Sequence, residues 1–352
     1  MAIPQIARYT AIGPSLWSFE KLPAGTREEN LVFKAADGGE SSGVLYTRGG
    51  EKTVVVFMHP RGNMKRHYPM PWFLEAGYAT FGQEGRWPGN DVACIHEMLL
   101  ADIAASMKVL RERFAHVVFF GNSGGGALYS FYQAQAATPA GERLTATPAG
   151  DPYDLNKLDL PQGDAIFQVA THLGEGMLLQ NCIDPSVADE SDPLSCDPAL
   201  DMYNPANGYR ELPQPSKYSE EFLARYREGQ RARVARLDAI ARGFIADQRH
   251  HLAQMLGDDY DKLPLEKKQY IHRRAFTGRY MVIHRTEAHP AYCDPSIHPS
   301  TRDIGSFFPV RPDIFNYMEP GFAKYLTPRG WLSTWSGISS KANVMQCLPR
   351  LT

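Results

Sequence analysis

A short apolar run, His116 to Phe120, leads directly into Gly121-Asn122-Ser123-Gly124-Gly125, and a helix-forming segment follows. Runs of that length rich in Val and Phe read as buried strands. The chain must therefore pass from strand to helix within a few residues, with Ser123 at the apex. Glycine on either side leaves room for a turn that tight, and the serine hydroxyl is left exposed on it. The first N–H groups of the helix and its dipole then point at any charge that develops there. A glycine-rich strand-to-helix turn also serves nucleotide-binding folds. Here no Lys follows as in a P-loop, and the G-x-G-x-x-G spacing is absent.

The residues before this turn alternate between strand and helix patterns. Leu31–Lys34 and Ser42–Thr47 read as an antiparallel pair around Asp37-Gly38-Gly39. Lys52–Met58 is a near-continuous apolar strand, as expected where helices cover both sheet faces. It ends in His59-Pro60-Arg61-Gly62. A short helix over 67–77 and a strand over 78–82 follow. Gly89-Asn90-Asp91 can cap a helix over about 92–113, whose stripe is Ile95, Leu99, Ile103, Met107, Leu110 and Phe114. After the serine turn comes a helix to about Ala137. A strand over 164–170 then ends in Thr171-His172-Leu173-Gly174-Glu175. This order argues for a doubly wound, mostly parallel α/β sheet.

The grain changes after residue 176. Residues 183–216 are rich in Pro, Asp and Ser and read as loop, and Ser219 opens a long helix to about Leu256. Its seven arginines, Arg225 to Arg249, read as a solvated face, and the segment as a lid. A helix over 264–275 and a strand over 280–284 follow, and the tail from 305 has no clear period. Asp294 and His298 are close in sequence, but they lie in a proline-rich loop, which weighs against an acid–base role for the pair.

Composition narrows the function. The chain has 352 residues, a net charge of −2 and 43% hydrophobic residues. Such a balance implies neither nucleic-acid nor membrane attraction, and no apolar stretch reaches the roughly 18–20 residues of a membrane span. The first residues lack the parts of a signal peptide. Five scattered cysteines with no C-x-x-C pair point to reduced thiols in a cytoplasm. No ligand cluster implies a metal, and serine chemistry needs no cofactor.

Gly-Asn-Ser-Gly-Gly after a strand, with His59-Pro60-Arg61-Gly62 after an earlier one, resembles the α/β-hydrolase superfamily. The resemblance covers the first 175 or so residues. It implies a core over 1–175, a large, mainly helical cap inserted over 176–330, and a return to the core over 331–352. In that family an acid and then a histidine follow the nucleophile in later strands. No such β-α-β pair is found before Thr352. The sheet is therefore expected to end at the 164–170 strand, in a truncated form or with its edge completed by another chain, as in a homo-oligomer.

The resemblance implies Ser123 as nucleophile and the Gly124 N–H as first oxyanion donor, with the Arg61 N–H as the second. His172 is the histidine placed beside Ser123, as a weak substitute base, and Glu175 its partner. His59 and Gly62 shape the loop, and with Glu175 they border the substrate. His96 and Glu97 face either the site or solvent. The implied activity is hydrolysis of an ester, thioester or related small-molecule acyl bond through an acyl-serine. A carbon–carbon bond hydrolase of ring-cleavage products and a non-catalytic or split hydrolase-like binding protein are the alternatives.

Overall fold

The computed structural model describes residues 21–87, 92–298, 311–318 and 321–351. The chain divides into two compact units, Met1–Leu178 with Ser333–Thr352, and Leu179–Leu332. The sequence places these breaks at 175 and 330.

The first unit is built on a six-stranded sheet. Its strands are β1 (Arg27–Lys34), β2 (Glu40–Thr47), β3 (Thr53–Phe57), β4 (Ala79–Glu84), β5 (His116–Asn122) and β6 (Ala165–Val169). They lie in the order β1-β2-β4-β3-β5-β6. The hairpin β1–β2 and the β2–β4 pair are antiparallel, whereas β4, β3, β5 and β6 run parallel. In register, Val54 faces Val117 and Phe57 faces Phe120, so the strand carrying Ser123 at its end is interior. Because side chains alternate along a strand, β3 feeds two cores. Val54 and Val56 join Leu99, Ile103, Met107, Phe119 and Tyr129 on one face. Val55 and Phe57 join Met70, Leu74 and Phe120 on the other. That two-sided burial is why β3 carries an unbroken apolar run.

The helices of this unit are α1 (Met70–Glu75), α2 (His96–Arg113), α3 (Gly124–Ala137) and the start of α4 (Glu175–Cys182). The expected stripe of α2 is buried at Leu99, Ile103, Met107, Leu110 and Phe114. The expected cap Gly89-Asn90-Asp91 lies outside the described residues. The helix begins at His96, and the residue before it, Ile95, has no capping side chain. The His96 N–H is instead taken by Ser333 Oγ at 2.9 Å, from a residue 237 positions away. A helix start needs acceptors for its first N–H groups, and here the fold supplies one that local sequence does not.

The second unit is mainly helical, around α5 (Glu220–Met255) and α6 (Leu265–Phe276), with a two-stranded pair of β7 (Met281–Val282) and β8 (Tyr325–Leu326). At 36 residues α5 is about 54 Å long. The reading of its arginines as a solvated face is corrected at two positions. Arg233 is buried, donating to Glu190 Oε1 and Oε2 at 3.0 and 2.8 Å and to the Asp184 and His284 carbonyls. Arg236 joins it on Glu190 at 2.7 Å. Glu190 lies in the Pro/Asp/Ser-rich loop, so its pairing with α5 leaves no periodic trace in either segment. Asp294, in the proline-rich loop, has a structural task. Asp294 accepts from Lys217 Nζ at 2.8 Å and from the Ser296 backbone N–H at 3.0 Å, as a loop-fastening carboxylate. No helix among the described residues is long and apolar enough to cross a membrane.

Candidate active site

Ser123 stands between the end of β5 and the first residue of α3, with φ 53° and ψ −127°. A non-glycine residue rarely takes that conformation. It is held from both sides. The Ser123 N–H donates to the Val169 carbonyl at 3.3 Å, and the Gly126 N–H donates back to the Ser123 carbonyl at 3.2 Å. The Asn122 side-chain amide binds the same Val169 carbonyl at 3.0 Å, and Thr171 Oγ1 donates to the Gly121 carbonyl at 2.9 Å. Strand β6 thus braces the turn. Glycine is required here by contact rather than by φ. A Cβ on Gly121 would strike the backbone of Gly126, and one on Gly125 the Met58 carbonyl at the end of β3.

The loop after β3 folds onto this turn. A Cβ on Gly124 would meet Glu175 Oε1 and would lie 3.0 Å from His59 Nε2, so both side chains crowd the first residue of α3. His59 Nδ1 accepts two backbone N–H groups, from Arg61 and from Gly62, each at 3.1 Å. The Arg61 N–H, expected at the oxyanion, is therefore committed to the imidazole. Its guanidinium lies over the Trp335 ring, 4.7 Å from the centroid. Solvent reaches part of His59, yet enclosing protein, with Arg61 and three histidines beyond it, holds its pKa well below the usual histidine value. The ring is neutral near pH 7, and with Nδ1 accepting, its proton resides on Nε2.

His172 follows the same pattern, its Nδ1 accepting the Gly174 N–H at 3.2 Å. Burial lowers its pKa to about 4. The partner expected for it, Glu175, faces a different histidine. The Glu175 Oε2 to His96 Nε2 distance is 3.7 Å, with both side chains buried. Of the two readings of His96 and Glu97, solvent is excluded, since both are fully buried. Ser333 Oγ donates to Glu97 Oε2 at 2.7 Å while accepting the His96 N–H. Burial raises the Glu97 pKa to about 7 despite the Ser333 bond, and lowers that of His96 to about 4. His67, buried against Phe57 and Phe120, is likewise lowered to about 4 by desolvation. Ser333, Trp335 and His67 are site-forming residues that sequence reading missed. The first two lie in a tail without period, and a lone histidine in a helix-like stretch carries no motif. Among the described residues, no group of three or more His, Cys, Asp or Glu could hold a metal ion.

No protein-family model matches the sequence, and no curated protein matches it. Solved structures resemble it over about a third of its length. A prolyl endopeptidase is 18% identical, with 33% of this chain and 20% of that chain covered and a TM-score of 0.28. A thermostable carboxyl esterase from Bacillus coagulans is 19% identical over 34% of this chain and 42% of its own, with a TM-score of 0.26. Oligopeptidase B from Trypanosoma brucei is 11% identical over 44% of this chain and 22% of its own, with a TM-score of 0.32. The matched part therefore spans well under two thirds of each of these proteins. The architecture itself speaks through the chain's own topology. The antiparallel entry strands, the parallel β4-β3-β5-β6 core and a strained serine between strand and helix give the first unit the mostly parallel α/β sheet expected from the sequence.

Proposed function

We propose that this chain is a serine hydrolase that cleaves an ester, thioester or related acyl bond through an acyl-serine. The carrying observation is the Ser123 backbone, φ 53° and ψ −127° at the junction of β5 and α3. Strain of that kind persists where surrounding structure enforces it, and it clusters at reacting residues. In the proposed cycle Ser123 Oγ adds to the substrate carbonyl, and the Gly124 N–H at the start of α3 receives the oxyanion. The proton of Ser123 needs an acceptor. His172 keeps that assignment, but with a condition. Its Nδ1 now holds the Gly174 N–H, so the ring must turn and release that bond before a bare nitrogen faces a hydroxyl.

A fluorophosphonate probe tests the reading. Stoichiometric labelling that maps to Ser123 and vanishes in Ser123→Ala is the expected result, followed by turnover of one or more members of a p-nitrophenyl ester series. A protein that stays unlabelled while folded would assign the turn to a non-catalytic role.

A further inference from the structure

We propose that His59 supplies the second oxyanion donor, through its Nε2–H. The inference rests on the hydrolase reading of Ser123 and gives the loop after β3 a specific task in it. Three observations converge. First, the tautomer is set by the backbone: the Arg61 and Gly62 N–H groups both point at Nδ1, each at 3.1 Å, so the neutral ring carries its hydrogen on the other nitrogen. Second, that nitrogen lies against Gly124, 3.0 Å from the point where a Cβ would stand, beside the residue whose N–H is the first donor. Third, a carboxyl oxygen, Glu175 Oε1, already crowds the same point. A protein oxygen thus stands next to Gly124 and His59 in the resting protein, where a substrate oxygen would lie during reaction. The backbone donor expected from this loop is spent on orienting the imidazole, and the imidazole extends the loop's reach to the turn.

The electron balance is simple. The Ser123 Oγ–carbon bond forms, the carbonyl π pair moves onto oxygen, and the hydroxyl proton passes to the general base. His59 gives a hydrogen bond and keeps its proton. Its Nδ1 is occupied by the Arg61 and Gly62 N–H groups and its Nε2 carries the hydrogen, so the ring does not compete for that proton. Glu175 Oε1 yields its place to substrate oxygen.

Two variants separate donation from loop shaping. In His59→Asn the amide oxygen stands near the Nδ1 position and can still accept from Arg61 and Gly62, but nothing reaches where Nε2–H was. In His59→Gln the longer amide restores an N–H near that point. With p-nitrophenyl acetate, His59→Asn is expected to lose about 10²–10³ in kcat with little change in KM, and His59→Gln to recover part of it. In ¹⁵N spectra of the wild type, His59 is expected as the Nε2–H tautomer, with that proton shifting downfield when Ser123 is phosphonylated. Wild-type kcat in His59→Asn, or an Nδ1–H ring, overturns this inference and leaves the hydrolase reading standing. A wild-type protein that neither labels nor turns over substrate overturns both.

Discussion

Ser123 is the residue on which local geometry and chemistry meet most directly. Its φ of 53° is expensive for any side chain with a Cβ, by about 1–2 kcal/mol. Ser123→Ala keeps that strain and loses only an oxygen. It should melt close to the wild type while abolishing turnover, which thermal melts and an ester assay would check together. Ser123→Gly relieves the strain and should melt higher than Ser123→Ala, a ranking that would reverse if the observed backbone were not strained. The apex was legible because glycines flank it and an apolar strand precedes it. The tautomers of His59 and His172 were not legible. They depend on backbone N–H groups two or three residues away curling back onto the ring, which sequence spacing permits but does not require.

At the scale of single elements, the turn and the long helix make contrasting demands. Gly125→Ala drives a methyl into the Met58 carbonyl, and neither backbone can move cheaply. It should destabilise the first unit by about 1–3 kcal/mol, measured as a shift of the denaturant midpoint. Gly124→Ala meets side-chain atoms of Glu175 and His59 rather than backbone, so its stability loss should be the smaller of the two. In the second unit, Glu190→Ala would strand the guanidinium of Arg233, whose side chain is buried. Removing one partner of a buried pair typically costs about 3–5 kcal/mol, and a melt of the variant would register it. Most strands and helices were readable from period alone, within a few residues. The start of α2 was not, because its first N–H is received by Ser333. Nor was the burial of Arg233 or the pairing of Arg236 with Glu190, since an arginine every few residues looks the same whether water or a distant glutamate receives it.

For the whole molecule, buried ionisable groups set the response to acid. His67, His96 and His172 have folded pKa values lowered from 6.5 to about 4. Between those values the unfolded chain binds protons that the folded chain refuses, so stability falls as pH drops through that window. Glu97, raised from 4.5 to about 7, acts the other way, since the folded state holds its proton longer. Each group contributes up to about 1.4 kcal/mol per pH unit, and three outweigh one. Melting temperature should therefore fall from pH 6.5 to 4.5. Glu97→Gln should steepen the fall and raise stability above pH 7, and a flat profile would contradict these burials. β6 is the outer strand of the sheet among the described residues, and Phe167 on it is 54% exposed. Outer strands invite pairing, so Phe167→Lys should reduce any concentration-dependent association seen by light scattering. Ser333 adds a timing consequence. It caps α2 and satisfies Glu97 from 236 positions downstream. At synthesis rates of roughly 5–20 residues per second, it emerges on the order of 10–50 s after the helix it completes. During that interval the α2 N-terminus and the Glu97 carboxyl lack the hydroxyl that serves both in the finished fold. Chaperones that shield nascent sheets would meet this protein in that state, and the final seal on the Ser123 core would come only after the entire second unit has been made.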